Sequence, residues 1–128
     1  MDSFRQRVGN GRYMVEATVV RCGSDINVTI GGGEKYHIGA VAIAVPRNEY
    51  KDGKKRTSST SAICVQGHRE DELSYKAAKY LSTCLDCTVV VTIGIHIDDI
   101  KNDEFKLLFD NIDILLEKII ESVNKNFV

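Results

Sequence analysis

Three histidines carry the chemistry this chain could do: His37 in Tyr36-His37-Ile38-Gly39, His68 in Gly67-His68-Arg69-Glu70-Asp71, and His96 in Gly94-Ile95-His96-Ile97-Asp98-Asp99. Each stands near a glycine at the end of an apolar run. Imidazole binds metals, shuttles protons or donates to phosphate, and junctions at strand ends are where such groups are displayed. If the strands concerned are neighbours, two or three of these junctions meet at one end of a sheet. The plainer alternative, each imidazole simply bonding its own turn, stays open on sequence alone. His37, His68 and His96 with Asp98 would be enough ligands for a catalytic metal. No His-x-His or His-Glu-x-x-His spacing supports that reading, so no metal is expected. Were one bound, those four residues would hold it.

Other motifs are weaker. Gly31-Gly32-Gly33 offers bare amides that could cradle an anion, with Lys35 nearby as a point charge. It has neither the dinucleotide fingerprint nor the Walker lysine spacing, and a plain wide turn explains it equally well. Cys84-Leu85-Asp86-Cys87 has redox spacing but sits at a helix end, where no dipole lowers a thiol pKa. Cys22 and Cys64 read as core residues. No Gly-x-Ser-x-Gly elbow is present, so Ser58 to Ser61 suggest a wet strand face rather than a nucleophile. Lys51, Lys54, Lys55 and Arg56 form a small basic loop, solvated or able to attract an anion.

The elements that must position these residues follow from periodicity. Gly11 to Cys22 alternates as a strand, Gly23-Ser24 makes a type II′ turn, and Asp25 to Ile30 alternates cleanly, giving a hairpin that the triglycine ends. Ile38 to Val45 is apolar on both faces, as in a strand covered on both sides. Its glycine and three alanines leave room for a helix or a ligand, and Pro46 closes it. Thr57 to Val65 is the next strand. Leu73, Ala77, Leu81, Cys84 and Leu85 trace a helix whose first turn holds Glu70, Asp71 and Glu72. Thr88 to Ile95 is another strand. The last helix starts near Asn102 as N-cap and buries the face running from Phe105 and Leu108 to Val123. Leu107 and Ile114 lie off that stripe and hint at a second contact surface, such as one with another subunit. The order β-β-β-β-α-β-α predicts an α+β fold, an antiparallel-rich sheet of about five strands with two main helices packed on it.

Composition bounds the rest. The chain has 128 residues, 43% of them hydrophobic, with 17 basic against 18 acidic side chains and a formal net charge of -1. That suits a single domain over residues 1–128 and argues against nucleic acid as the main partner. No stretch approaches the roughly 18 apolar residues of a membrane helix, and Met1-Asp2-Ser3-Phe4-Arg5 has no secretory apolar core. A cytoplasmic protein with four reduced thiols is expected.

Three segments in order, Gly31-Gly32-Gly33 running on through His37-Ile38-Gly39-Ala40-Val41-Ala42-Ile43-Ala44, then Gly67-His68-Arg69-Glu70-Asp71-Glu72-Leu73, then Gly94-Ile95-His96-Ile97-Asp98, resemble the prenylated flavin chaperone family of the LpdD type. The likeness runs from about Tyr13 into the last helix. It implies binding of reduced prenylated flavin mononucleotide (prenylated FMN) and its delivery to a UbiD-type decarboxylase apo-enzyme, with no catalysis by the chain itself. The fold is also similar to that of the proteasome-assembly chaperones, small dimeric α+β proteins, which implies a homodimer. The motif positions Gly32, Gly33, Lys35, Tyr36, His37, Gly39, Gly67, His68, Arg69 and His96 are the candidate cofactor-binding residues. Lys35, Arg69, the glycine amides and the imidazoles could hold the phosphate, Tyr36 could stack, and Gly39 and Ala40 could let a ring lie close to the strand. Two rival readings remain: a metal-assisted hydrolase or isomerase built on His37, His68, His96 and Asp98, and a structural assembly module binding through Leu107 and Ile114.

Overall fold

Alternation, glycine turns and one long amphipathic segment produce the elements in the order expected, with one strand more than foreseen. The computed structural model describes residues 1–47, 56–65 and 70–127. Gly67, His68 and Arg69, and with them Lys51, Lys54 and Lys55 of the basic segment, lie outside the described residues. Among those described, the chain forms β1 (Ser3–Val8), a 3-10 turn (Gly11–Tyr13), β2 (Val15–Cys22), β3 (Asp25–Gly33), β4 (Lys35–Arg47), β5 (Thr57–Cys64), α1 (Asp71–Leu85), β6 (Val89–His96) and α2 (Asn102–Asn126). The six strands make one sheet in the order β1-β2-β3-β6-β4-β5. Only β3 and β6 pair in parallel; the other neighbours are antiparallel. The fold is α+β.

Cys22 pairs with Asp25 across Gly23-Ser24, and Gly23 has φ +63° while Ser24 is not among the positive-φ residues, as a type II′ turn requires. α1 follows edge strand β5, crosses one face of the sheet, and delivers β6 between β3 and β4. That insertion brings the end of β6 beside the start of β4. Both helices pack on the same face, α1 over β4, β5 and β6 and α2 against β1 and β2. Val15, Ala17 and Val19, Ile26, Val28 and Ile30, and Val89, Val91 and Ile93 point into this layer and are buried. α2 seals it with Leu108, Ile112, Leu115, Leu116 and Ile119. The space left by Ala40, Ala42 and Ala44 is taken by a helix: α1 turns Ser74, Ala77, Ala78 and Ser82 into the sheet. Small residues on both sides bring helix and strand backbones close.

Several expectations are corrected. β4 is covered on one face only; Val41, Ile43 and Val45 are exposed on the other. β1 was not foreseen, because Phe4, Gln6 and Val8 place only two apolar residues on the inward side of an edge strand. The strand after it starts at Val15, because Gly9 and Gly11 adopt positive φ and Gly11–Tyr13 turns as a 3-10 helix. The triglycine is strand, not a turn. β4 runs through Pro46 to Arg47, because pairing with β6 stops at Ala44 and the missing N–H of Pro46 faces no partner strand. Lys101 rather than Asn102 precedes the first turn of α2, and the Glu104 carboxylate accepts its N–H at 3.3 Å. Cys64 and Cys84 are exposed, the first at the end of an edge strand and the second on the outer side of α1. Among the described residues, no helix is long and apolar enough to cross a membrane.

Candidate functional site

The site grows from an irregularity in β4. Its pairing with β6 is regular from Ala40 to Ala44 and again at Lys35 and Tyr36, with a bulge between Tyr36 and Ala40. Opposite the bulge stands Gly94, where a Cβ would run into the carbonyl of His37 and come within 3.2 Å of the Gly39 nitrogen. Glycine is therefore the residue that lets the bulge close. A bulge bends its strand and re-aims side chains. Here it directs His37 to Glu70, just before α1, with Nε2 and Oε1 3.0 Å apart and both side chains largely buried. A carboxylate only accepts, so Nε2 carries the proton. Gly39 leaves room for that same carboxylate, since a Cβ there would overlap it.

His96 is the cross-strand partner of Lys35 and lies 2.8 Å, Nε2 to Oδ1, from Asp98. The His37 and His96 rings sit 6.4 Å apart in an edge arrangement at 75°. Two of the three histidine junctions thus meet at one sheet end, while His68 is outside the described residues. Asp98 is itself held: its N–H donates to Glu34 Oε1 at 3.0 Å and its carbonyl accepts from Arg12 at 2.7 Å. Arg12 also approaches Glu34 (3.6 Å) and Glu104 (3.7 Å). The Tyr13 hydroxyl donates to Glu104 at 2.5 Å. That bond raises the Tyr13 pKa, burial adding to it, and it holds the Glu104 carboxyl below the ordinary glutamate range. A chain of polar contacts therefore runs from the imidazoles to the first turn of α2.

Tyr36 goes the other way. Its ring lies over Gly31, where a Cβ would stand 2.8 Å from it, and its hydroxyl donates to Glu16 at 2.8 Å. Glu16 also accepts from Arg7 at 3.1 Å, on the sheet face opposite the helices. The Tyr36 hydroxyl and then Arg7 pull the Glu16 pKa down, while burial and then Glu16 push the Tyr36 phenol up.

Beyond Glu70, between α1 and α2, lies a cleft of about 430 Å³. Leu73, Ile95, Phe105, Leu108, Phe109 and Ile112 wall it, and Glu70, Glu72, Lys76 and Asp113 border it. The Phe105 and Phe109 rings are 6.0 Å apart at 30°, and both are partly exposed on the cleft side of α2. Ligand pockets usually fall between about 300 and 1,000 Å³ with mostly apolar walls and a few polar groups. Glu70 belongs to both the cleft and the imidazole cluster.

Other candidate residues are placed differently from the expectation. The Gly33 N–H donates to Met14 O at 3.1 Å and Gly31 and Gly32 sit in the ladders of β2 and β6, so the triglycine holds strands together and is no anion cradle. The space beside Gly39 and Ala40 is filled by Glu70 and α1, leaving none for a ring. Among the described residues, no three His, Cys, Asp or Glu side chains are grouped to hold a metal ion. The half-buried Cys87 thiol is pushed up to about 11 by burial, with Asp25 and Asp86 adding to it, the reverse of an activated thiolate. Sequence reasoning missed Glu70 as the partner of His37, reading it as one of three acidic groups favoured by the helix dipole or able to serve an ion. It also placed Phe105 and Phe109 in the core; their position one turn before the buried Leu108 and Ile112 was the available signal.

Residues 9–124 match the family described as the prenylated flavin chaperone LpdD-like domain. The chain belongs to that family. It is a family of chaperones, not of enzymes. No curated protein matches this LpdD-like chain. Among solved structures, a chain in the crystal structure of a novel chaperone complex for yeast 20S proteasome assembly is similar at TM-score 0.60 and 10% identity, covering 97% of the LpdD-like chain and 95% of its own. At that identity the likeness bears on fold alone.

A flavin mononucleotide asks for a flat apolar wall and for donors to its phosphate. The residues present suit both needs, with Phe105, Phe109 and Ile95 on the wall and Lys35, His37 and His96 at the sheet end. Glu72 and Asp113 border the cleft with no imidazole beside them, whereas the carboxylates of the sheet end, Glu70 and Asp98, are each bonded to an imidazole.

Proposed function

We propose that this chain binds reduced prenylated FMN at the junction of the β4 bulge and the α1–α2 cleft, and hands it to the apo form of a UbiD-type decarboxylase. The observation that carries the proposal is the shared Glu70: one carboxylate fixes the His37 imidazole and also borders an apolar cleft wide enough for a ring system. In this reading Phe105 and Phe109 hold the ring by contact, while Lys35 donates to the phosphate and His37 and His96, whose Nε2 atoms face Glu70 and Asp98, donate from Nδ1 as imidazolium ions. Gly67, His68 and Arg69 directly precede Glu70 and are proposed to complete the anion-binding end. Tyr36 is assigned a supporting role, tying β4 to β2 through Glu16, and Gly31 to Gly33, Gly39 and Gly94 give the shape that lets the bulge form. The bound group supplies a reduced, reactive ring whose chemistry belongs to the recipient enzyme. The chain's own work is to exclude water from one side of that ring, keep the phosphate oriented, and let go. Half-exposed phenyl walls and an open border suit moderate affinity, as release requires. The chain is proposed to work in the cytoplasm, in keeping with four free cysteines, and as a pair of identical copies.

Anaerobic titration with the reduced prenylated cofactor, followed by difference spectroscopy, tests binding. His37→Ala and His68→Ala are expected to lower transfer to the apo-decarboxylase at least about tenfold while leaving the circular dichroism spectrum intact. A flat titration, or full maturation of the decarboxylase by both variants, sinks the reading.

A further inference from the structure

The exit of β6 is held by the chain that wraps around it. Gly33, ending β3, and Lys35, opening β4, flank His96 on its two sides, so Glu34 between them crosses over the end of the strand. Gly33 takes φ +73° to make that crossing, and a Cβ there would run into the His96 carbonyl. Glu34 then grips the exit twice. Its N–H donates to the His96 carbonyl at 2.7 Å, and its Oε1 accepts from the Asp98 N–H at 3.0 Å. Arg12 completes the clamp, donating to the Asp98 carbonyl at 2.7 Å and lying 3.6 Å from the Glu34 carboxylate. The Asp98 side chain is 75% exposed, yet its backbone is fixed at both polar groups, and its Oδ1 holds His96 Nε2 at 2.8 Å. A carboxylate only accepts, so Nε2 carries a proton and Nδ1 is the ring nitrogen turned to a ligand.

We propose that Glu34, braced by Arg12, is a positioning residue for the cofactor: through Asp98 it holds the His96 imidazole so that Nδ1 is presented to the phosphate. The inference rests on the cofactor reading of the proposed function and adds to it a residue that acts through another side chain. Two effects of Glu34 oppose each other. A carboxylate near an anion-binding end weakens binding by its charge. A fixed imidazole strengthens binding, because a side chain ordered beforehand does not have to be ordered by the ligand, a difference of about 3- to 10-fold in affinity. The surroundings decide between them. Arg12 offsets the charge, the carboxylate is 42% exposed and so screened by water, and the His96 ring at 49% exposure has no packing to hold it other than this clamp and the edge of His37. Positioning therefore wins, and removal of Glu34 loosens the grip on an anion.

Anaerobic titration of the full-length chain with the reduced prenylated cofactor, followed by difference spectroscopy, tests the proposal on two variants. Glu34→Ala should bind about 3- to 10-fold more weakly than the wild type. Glu34→Gln loses the charge but keeps an accepting Oε1 for the Asp98 N–H, so it should bind within about twofold of the wild type. The backbone bond from residue 34 to the His96 carbonyl survives in both, so both should melt within a few degrees of the wild type. In a His96→Ala background, Glu34→Ala should change the affinity by less than about twofold, since no imidazole is left to act through. A Glu34→Ala chain that binds as tightly as the wild type or tighter, a Glu34→Gln chain as weak as Glu34→Ala, or an equal loss in the His96→Ala background overturns the positioning role and leaves the cofactor site standing. A wild type that binds no cofactor overturns the reading on which that role rests.

Discussion

At the scale of single residues, most glycines of the three motifs serve the protein's own packing. Gly94 gives way to the His37 carbonyl and Gly39 to the Glu70 carboxylate, so each is required by the imidazole site without being part of it. Gly94→Ala is expected to cost more than about 3 kcal/mol, because the clash is with backbone that cannot rotate aside. Gly23→Ala, with open space around it but φ +63°, should cost only about 1 kcal/mol. Urea unfolding of the two variants reads the difference, and equal costs would refute this account of Gly94. The Tyr13–Glu104 contact makes a second prediction. The folded Glu104 pKa lies below the ordinary 4.5, so its contribution to stability is complete above pH 4.5 and fades as pH falls through the lower folded value. The Tyr13 value is raised above 10.0, so its share is complete below pH 10 and is lost as pH climbs through the folded value. Glu104→Gln should therefore destabilise at neutral pH by an amount that shrinks in acid, as seen by denaturant midpoints at several pH values. The histidines were legible in the sequence because imidazoles at strand ends are few. Glu70 was not legible as the partner of His37, because a carboxylate at a helix start has a sufficient reason to be there already.

At the scale of elements, the alanines of β4 were the ambiguous signal. A run of Gly39, Ala40, Ala42 and Ala44 says only that something comes close, and the periodicity of α1 was read through Leu73, Ala77, Leu81, Cys84 and Leu85, which includes one of its small buried residues and none of the serines. The buried face is mostly small, Ser74, Ala77, Ala78 and Ser82 around a single large residue, Leu81. Small residues carry little hydropathy, so they vanish from a pattern search while setting the distance between layers. Two hydroxyl bonds fix that distance further: Ser82 donates to the Cys87 carbonyl at 2.7 Å, and Ser58 of β5 meets Thr83 at 2.8 Å. Ala78→Leu should force α1 off β4 and cost about 1–3 kcal/mol, lowering the urea midpoint with little change in its slope. Tyr80→Phe, which removes an exposed bond to Glu117 between α1 and α2, should cost less than about 1 kcal/mol. If Tyr80→Phe proved the more damaging, helix–helix contact and not helix–sheet packing would be setting the layer spacing. The same reasoning explains β1: an edge strand contributes half a face to the core, and Ser3–Val8 offers only Phe4 and Val8 as apolar signal.

At the scale of the whole molecule, one sheet separates two unlike surfaces. The helix side and sheet end hold the imidazoles and the cleft, and the opposite side exposes Val41, Ile43, Val45 and Ile63 at one end and the Arg7–Glu16 pair at the other. A ligand lying in the cleft and reaching the imidazoles would touch α1, α2, β4 and β6 at once, so it should stabilise the folded chain as a unit. At a free concentration 100 times its dissociation constant, the gain is about 2.7 kcal/mol, or roughly 10 °C in melting temperature for a domain of this size. Phe109→Glu places a carboxylate on a wall already bordered by Glu72 and Asp113. Phe109 is 42% exposed, so the unliganded variant should melt within a few degrees of the wild type. A 100-fold loss of affinity would reduce the ligand-dependent gain at the same concentration to about 0.4 kcal/mol. Ile43→Lys, on the far side of the sheet, should keep the full gain. Anaerobic melting curves with and without the reduced prenylated cofactor decide the matter. An unchanged gain in Phe109→Glu would remove the cleft from the binding site, and a lost gain in Ile43→Lys would mean that the two surfaces are one.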